Sequence, residues 1–168
     1  MSPSPPDRPA SVAHRRVRRA AGFLHPVPLG ALAILAANDH WGKAAWPGLV
    51  TGKLSDVAGL VFFPLLLQGI WEVGGGAVRP RVLALACVAT ALGFAAVKVF
   101  PPAHLLYEHG LGLLQWPYWV ARAELLGVWP PPLAPVSLEA DPTDLLALPA
   151  VLLAWAVGRA RGAEPPSR

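Results

Sequence analysis

The chain has 168 residues, of which 54% are apolar and 14% charged, with a mean hydropathy of +0.46. A soluble domain carries about a quarter of its residues as Asp, Glu, Lys or Arg, so these charges are too few to cover a water-facing surface. The composition therefore excludes an ordinary soluble domain and predicts an all-α integral membrane protein. The single cysteine, Cys87, excludes a disulfide framework.

The N-terminal segment differs in composition from everything that follows it. Residues 1–20 are rich in proline, serine and arginine and have no apolar period, so we expect a disordered basic tail. The basic cluster and the apolar run behind it also resemble a cleaved signal peptide. Because further apolar runs lie downstream, we expect the first run to be retained as a helix.

Four apolar runs follow the tail, and we expect each to cross the membrane within a domain of residues 21–158. The second run has 18 residues, which at about 1.5 Å per residue extend roughly 27 Å, close to the ~30 Å hydrocarbon layer. The expected spans are residues 22–38, 56–73, 82–100 and 143–158. Residues 159–168 form a second predicted tail.

Residues 101–142, between the third and fourth runs, are apolar but interspersed with charges and prolines. Trp116, Tyr118, Trp119 and Trp129 fall within this segment. An amphipathic, tryptophan-rich segment suits the headgroup zone, so we expect it to be interfacial. The alternative is a fifth span at residues 104–120, which would move the C-terminus to the other side of the membrane.

Basic and acidic residues separate when they are assigned to the two sides of four alternating helices. Ten of the fourteen basic residues fall on one side, and these are Arg8, Arg15, Arg16, Arg18, Arg19, Arg79, Arg81, Arg159, Arg161 and Arg168. Seven of the ten acids fall on the other side. The positive-inside rule then predicts that both termini lie in the cytoplasm, and we expect the membrane to be the bacterial inner membrane. This topology explains the basic pI of 9.8 without a nucleic-acid partner, which would require a basic groove with interleaved aromatic residues.

The same alternation brings polar residues from four helix ends to the outward-facing boundary. Ionisable groups at that depth cost several kcal/mol unless they are paired, and they are functional candidates for that reason. The candidate functional cluster consists of Asn38, Asp39, His40, Lys53, Ser55, Asp56, Lys98, Asp141 and Asp144.

The acidic pair before the last helix has two interpretations. Asp141 has the residue type and position of a helix N-cap, followed by a proline at the first helical position. Alternatively, Asp141 and Asp144 lie three residues apart on one helix face and together could hold a cation or move a proton. No cofactor or metal is predicted; Asp141, Asp144 and Asp56 are the weak candidate ligands should a divalent cation bind.

Two interpretations also apply to the start of the second span. Lys53 and Asp56 lie three residues apart and could form an ion pair within one helix. Alternatively, Lys53 binds an anionic lipid or phosphate group while Asp56 orients it. The Gly-Lys dipeptide lacks the upstream glycine and strand of a nucleotide-binding loop. For residues 38–40, a helix C-cap is favoured over a metal site.

Two motifs resemble those of a family of small, uncharacterised, multi-spanning bacterial membrane proteins. They are Asn-Asp-His at residues 38–40, continued by Thr-Gly-Lys-Leu-Ser-Asp-Val-Ala-Gly-Leu at residues 51–60, and Asp-Pro-Thr-Asp-Leu-Leu-Ala-Leu-Pro at residues 141–149. The resemblance covers residues 30–155. The chain is also distantly similar to the VanZ-like four-helix membrane proteins, although its acidic and basic residues come in a different order. The resemblance implies a membrane protein without an assigned reaction.

Three functions fit these observations. The favoured hypothesis is binding of an anionic lipid or cell-envelope precursor headgroup at the outward-facing cluster. A membrane-embedded enzyme that uses paired carboxylates for acid–base or divalent-metal chemistry is the second, and a small ion-coupled carrier is the third. The chain has no nucleophile-elbow serine and no zinc-protease helix motif, so the residues of the common membrane proteases are missing. Whether the protein is an enzyme of another kind is left open by the sequence.

Overall fold

The computed structural model describes residues 20, 22–42, 45, 49–139 and 141–163. Every regular element in this part of the chain is helical, which confirms the predicted all-α class. The two predicted tails lie outside the described residues except for residue 20 and residues 159–163. Residues 159–163 continue the last helix.

Five α-helices and two shorter helical elements make up the described chain. They are α1 (Pro26–Ala37), a π-helical turn (Asn38–Gly42), α2 (Leu49–Val73), α3 (Pro80–Val99), α4 (Pro101–Leu126), a 3-10 helix (Pro142–Ala150) and α5 (Val151–Ala163). Four of these elements begin with proline, whose missing N–H costs nothing in a first turn because that donor has no partner inside the helix.

A single extended residue separates α3 from α4. Phe100 has φ −118° and ψ 106°, so it ends α3 and precedes the first turn of α4. The proline at position 101 causes this break, because its ring clashes with a helical conformation of the preceding residue. At the other end of α4, Gly127 adopts the left-handed conformation that commonly closes a helix.

Within the described part of the chain, three helical segments are long and apolar enough to cross a membrane: Thr51–Val73, Pro80–Val99 and Pro142–Ala160. The first predicted span contains α1, which is apolar but has 12 residues and is only about 18 Å long. The predicted count of four spans is therefore not confirmed. The helix predicted from residue 56 begins at Leu49, because the polar residues ahead of residue 56 bond to other helices and do not form a loop.

Residues 101–139, which belong to the segment predicted to be interfacial with a fifth span as the alternative, form a helix followed by an extended segment. α4 has 26 residues, packs on the other helices chiefly through α3, and is not among the three segments that qualify as spans. The extended segment after it runs back along α4, where the indole of Trp116 donates to the Pro131 carbonyl at 3.2 Å and the Val136 amide to the Glu108 carbonyl at 3.0 Å. The interfacial location stays a prediction.

The helix α2 is at the centre of the fold, and α1, α3 and α5 all pack against it. Leu60, Leu65, Leu83 and Ala154 are almost completely enclosed where α2, α3 and α5 meet. Many large apolar side chains point outward, including Leu92 on α3. Such a surface suits hydrocarbon, since lipid tails are as apolar as leucine and helix association then depends on close packing.

Gly158 on α5 provides a test of this packing. A Cβ at this position would come within 2.6 Å of a methyl group of Leu83, which is itself 1% exposed and cannot move aside, whereas a Cβ at Gly93 meets nothing within 4 Å. We expect Gly158→Val to lower the free energy of unfolding by about 1–3 kcal/mol, the usual cost of overpacking. The matched control, Gly93→Val, introduces the same β-branched residue into a helix. Equal thermal unfolding midpoints of the two variants in detergent would contradict this packing.

Candidate functional site

Three helix ends meet where the polar cluster is predicted. The first turns of α2 carry Lys53 and Asp56, the last turn of α3 carries Lys98, and the start of the 3-10 helix carries Asp144 with Asp141 as its N-cap. These five residues come from three separate parts of the sequence and form a series of four ion-pair contacts, each 3.9 Å or shorter. We call them the charged cluster.

Lys98 is the enclosed member of the charged cluster. Its side chain is 6% exposed, and its ammonium lies 2.6 Å from Asp144 Oδ2 and 3.3 Å from Asp56 Oδ2. The ring of Phe94, one turn earlier on α3, lies 5.6 Å from the same ammonium. A buried lysine is stable only when it is paired, so the two carboxylates account for its place between the helices.

Lys53 is the open member of the charged cluster. Its side chain is 33% exposed, and its ammonium donates to Asp144 Oδ1 at 2.9 Å and to Thr143 Oγ1 at 2.8 Å. Asp141 Oδ2 is 3.9 Å away, too far for a hydrogen bond. An ammonium has three N–H donors, so among the described residues one donor of Lys53 has no hydrogen-bond acceptor.

Charges of opposite sign alternate through the cluster in the order Asp56, Lys98, Asp144, Lys53 and Asp141. Asp144 is the central carboxylate, and each of its two oxygens binds a different lysine. The four inner charges cancel, while Asp141 adds one negative charge at the exposed end. Asp56 Oδ2 is buried and accepts no hydrogen bond within the described structure, so Lys98 neutralises it by proximity alone.

Asp141 caps the 3-10 helix, as the capping interpretation predicts. The Thr143 hydroxyl donates to Asp141 Oδ2 at 2.6 Å, and the Thr143 amide donates to Oδ1 at 2.8 Å. These two hydrogen bonds, the hydroxyl first, lower the pKa of the Asp141 carboxyl below its ordinary value. Asp141 therefore stays ionised beside Lys53 at neutral pH.

Asn38 joins α1 to the same end of α2. Its side-chain amide is buried and donates to the Thr51 carbonyl at 2.6 Å and to the Ser55 hydroxyl at 2.7 Å. These bonds fix the C-terminal end of α1 beside the turn that carries Lys53. The side chains of the two following predicted cluster members, Asp39 and His40, lie outside the described residues.

The structure corrects the ion pairing considered for the start of α2. Lys53 and Asp56 do not pair with each other; Lys53 binds Asp144, and Asp56 lies beside Lys98. Lys98 is enclosed between the helices, where an ammonium requires carboxylate partners, and Asp56 supplies one of them. Within the described residues, no group of three or more potential ligands is arranged around a metal position, so the weak candidates Asp141, Asp144 and Asp56 gain no support as metal ligands.

One residue of the site and one buried acid outside it were not identified from the sequence. Thr143 belongs to the cluster, since its hydroxyl accepts from Lys53 while it donates to Asp141; its place between two aspartates was the available signal. At the opposite end of α2, Glu72 is 3% exposed and accepts from the Gln68 amide at 2.9 Å and the Ala20 backbone amide at 2.7 Å. Gln68 and Glu72 are four residues apart on one helix face, which was the signal there.

Comparisons of the chain with protein-family models, curated proteins and solved structures find no match. The resemblance to VanZ-like and related membrane proteins thus stays a prediction based on the two motifs.

The two lysines of the cluster are expected to differ in their contribution to stability. Lys98→Met leaves Asp56 and Asp144 facing each other in a closed space, and breaking a buried pair in this way costs about 3–5 kcal/mol. Lys53→Met leaves Asp144 bound to Lys98 and removes a partly solvated pair, which costs at most about 1 kcal/mol. Thermal unfolding in detergent measures both losses. A loss for Lys53→Met equal to that for Lys98→Met would contradict the central position of Lys98.

Proposed function

We propose that the protein is a four-pass protein of the bacterial inner membrane that binds the headgroup of an anionic lipid or cell-envelope precursor at the charged cluster. The observation that carries this proposal is the state of Lys53. Its side chain is one-third exposed, and one of its N–H donors has no acceptor among the described residues. A phosphate oxygen can accept that hydrogen bond without displacing Asp144 or Thr143.

The inner part of the cluster supports this use of Lys53. Asp144 keeps its 2.6 Å contact with Lys98 whatever Lys53 binds, so a ligand on Lys53 does not leave a carboxylate unpaired. Hydrogen bonds to charged groups contribute about 1.5–3 kcal/mol each, which is sufficient for selective binding at a single lysine. In this proposal Lys98 holds the helix ends together, and Lys53 binds the headgroup.

Asp141 restricts which anionic headgroups fit. Its carboxylate lies 3.9 Å from the Lys53 ammonium and repels a bare anion. A headgroup that also carries hydroxyl groups, such as a glycerol or a sugar, can donate a hydrogen bond to Asp141 while its phosphate accepts one from Lys53. We therefore favour hydroxylated phosphate headgroups over inorganic phosphate.

The two other functions receive less support from these contacts. Both oxygens of Asp144 are hydrogen-bonded to lysines, and both oxygens of Asp141 are hydrogen-bonded to Thr143. Carboxylates held in this way must lose a partner before they act as acid, base or metal ligand. A carrier would be favoured by inverted repeats, and the sequence shows none.

The four-pass topology is supported by the pairing of the first apolar run with α2. Asn38 bonds to α2 at Ser55, and Ala20 bonds to α2 at Glu72. The chain between Ala20 and Asn38 therefore runs beside about 25 Å of α2, although only part of it is α-helical. This length approaches that of the spanning helix itself, and with four passes both termini lie in the cytoplasm.

Headgroup binding is tested with the purified protein in nanodiscs of phosphatidylcholine that contain a minor fraction of phosphatidylglycerol. We expect Lys53→Gln to reduce the retained phosphatidylglycerol about tenfold, because it removes one charge-assisted hydrogen bond. Arg122→Gln is the matched control, since it removes one positive charge from α4, outside the charged cluster. If native protein and both variants retain the same lipids by mass spectrometry, the proposal is wrong.

The topology is tested with reporter enzymes fused to the intact chain. A reporter that is active only in the periplasm is expected to be silent after Arg168 and active when inserted between residues 43 and 48. Both results follow from four passes with cytoplasmic termini. Activity after Arg168 would favour the five-span alternative instead.

A further inference from the structure

An apolar groove runs along the outer surface of the helices next to the charged cluster. It has a volume of about 270 Å³, with α2 as its floor, α1 on one side and Leu153 of α5 on the other. All ten residues that line it are apolar, and they are Pro26, Val27, Gly30, Ala31, Ile34, Leu54, Val57, Ala58, Val61 and Leu153. Glycine and alanine on the facing sides of α1 and α2 leave the space that forms the groove.

One end of the groove is lined by a residue of the helical turn that carries Lys53. Its α2 residues extend from Leu54, the neighbour of Lys53 in the chain, to Val61, about 10 Å further along the helix. Ile34, Leu54 and Val57 are each at least 40% exposed, so the groove is open along its side. The groove therefore begins in the helical turn of α2 that carries Lys53.

We propose that this groove binds one hydrocarbon chain of the lipid whose headgroup binds Lys53. The inference rests on the proposed function and makes its ligand more specific: a membrane lipid with a long acyl or prenyl chain, and not a free phosphate compound. The lining offers no polar group to a headgroup or a peptide backbone. A single hydrocarbon chain is slender enough to lie inside a groove of about 270 Å³, whereas a helix, about 10 Å across, could only pack over its opening.

Charge and shape together select this occupant. The groove lies beside a helix that is long and apolar enough to cross a membrane, so its open side faces hydrocarbon when α2 spans the bilayer. Lipid tails gain little from leaving other tails, and the groove alone would hold no lipid preferentially. The hydrogen bond from Lys53 to the headgroup determines which lipid binds at the end of the groove. The groove then fixes the position of one hydrocarbon chain of that lipid.

Photolabelling tests the inference in nanodiscs. The probe is phosphatidylglycerol with a photoreactive diazirine in the middle of one acyl chain, and mass spectrometry measures labelling of Ile34, Leu54 and Leu153 relative to Leu92, which faces outward on α3. We expect groove labelling at least about fivefold above that of the reference position, corresponding to about 1 kcal/mol of selective packing. Phosphatidylcholine with the same chain is expected to label the groove and the reference position equally.

Gly30 allows the groove to be filled without disturbing the helices. A Cβ at Gly30 meets nothing within 4 Å, as at Gly93 on α3, which does not line the groove. We expect Gly30→Leu to abolish the excess groove labelling and Gly93→Leu to leave it unchanged. Ile34→Trp, at the exposed edge of the groove, is a second filling variant should Gly30→Leu not fold, and Ile70→Trp, at an exposed position of α2 outside the groove, is its control.

The outcomes separate this inference from the proposed function. If lipid retention depends on Lys53 but the groove is labelled no more than Leu92, the headgroup site stands and the chain site is wrong. If lipid retention does not depend on Lys53, the proposed function is wrong, and the inferred chain site, which requires a headgroup on Lys53, is wrong with it. If Gly30→Leu changes the oligomeric state in size-exclusion chromatography, the groove is an interface between copies and the chain site is overturned.

Discussion

The pair formed by Lys98 and Asp144 holds together segments that the chain connects only through long intervening stretches. Lys98 ends α3 and Asp144 begins the last helical segment, and the two side chains meet at 2.6 Å in a nearly closed space. Asp56 on α2 completes the contact, so the central helix is fixed to both neighbours by one ammonium. Because an unpaired charge at this depth is costly, the three helix ends cannot separate without a large loss of free energy.

This constraint also explains why Lys53 is available for binding. A cluster with one lysine and two carboxylates would carry a buried negative charge, and Lys53 neutralises it from the solvent side through Asp144 Oδ1. Because the helices do not enclose Lys53, water can partly replace its ammonium at this open end of the cluster. A ligand with hydroxyl groups can donate a hydrogen bond to Asp141 and so offset the repulsion between that carboxylate and the phosphate, whereas a bare anion cannot.

The members of the charged cluster could be predicted from the sequence because the chain has few charges, and those at the ends of apolar helices must pair with one another. The pairing within the cluster could not be predicted, because the spacing of Lys53 and Asp56 also allows an ion pair within one helix. Their actual partners, Asp144 and Lys98, come close only when the helix ends meet. The sequence also predicts the second span from residue 56, whereas α2 begins at Leu49. Thr51 and Lys53 have the residue types of a loop, and only the folded chain provides their hydrogen-bond partners, Asn38 and Thr143. The count of spans depends on α1, whose proline-rich start shortens the helix without shortening the apolar run.

The groove has no counterpart in the linear pattern, because small residues on two helices produce it only when those helices cross. Gly30 and Ala58 are unremarkable apolar positions in the sequence, yet together they open a channel that begins beside Lys53. Asn38 sets its geometry, since its two hydrogen bonds fix how α1 lies on α2. The polar contacts that join the ends of α1 and α2 therefore also hold α1 against the helix with which it forms the proposed chain site.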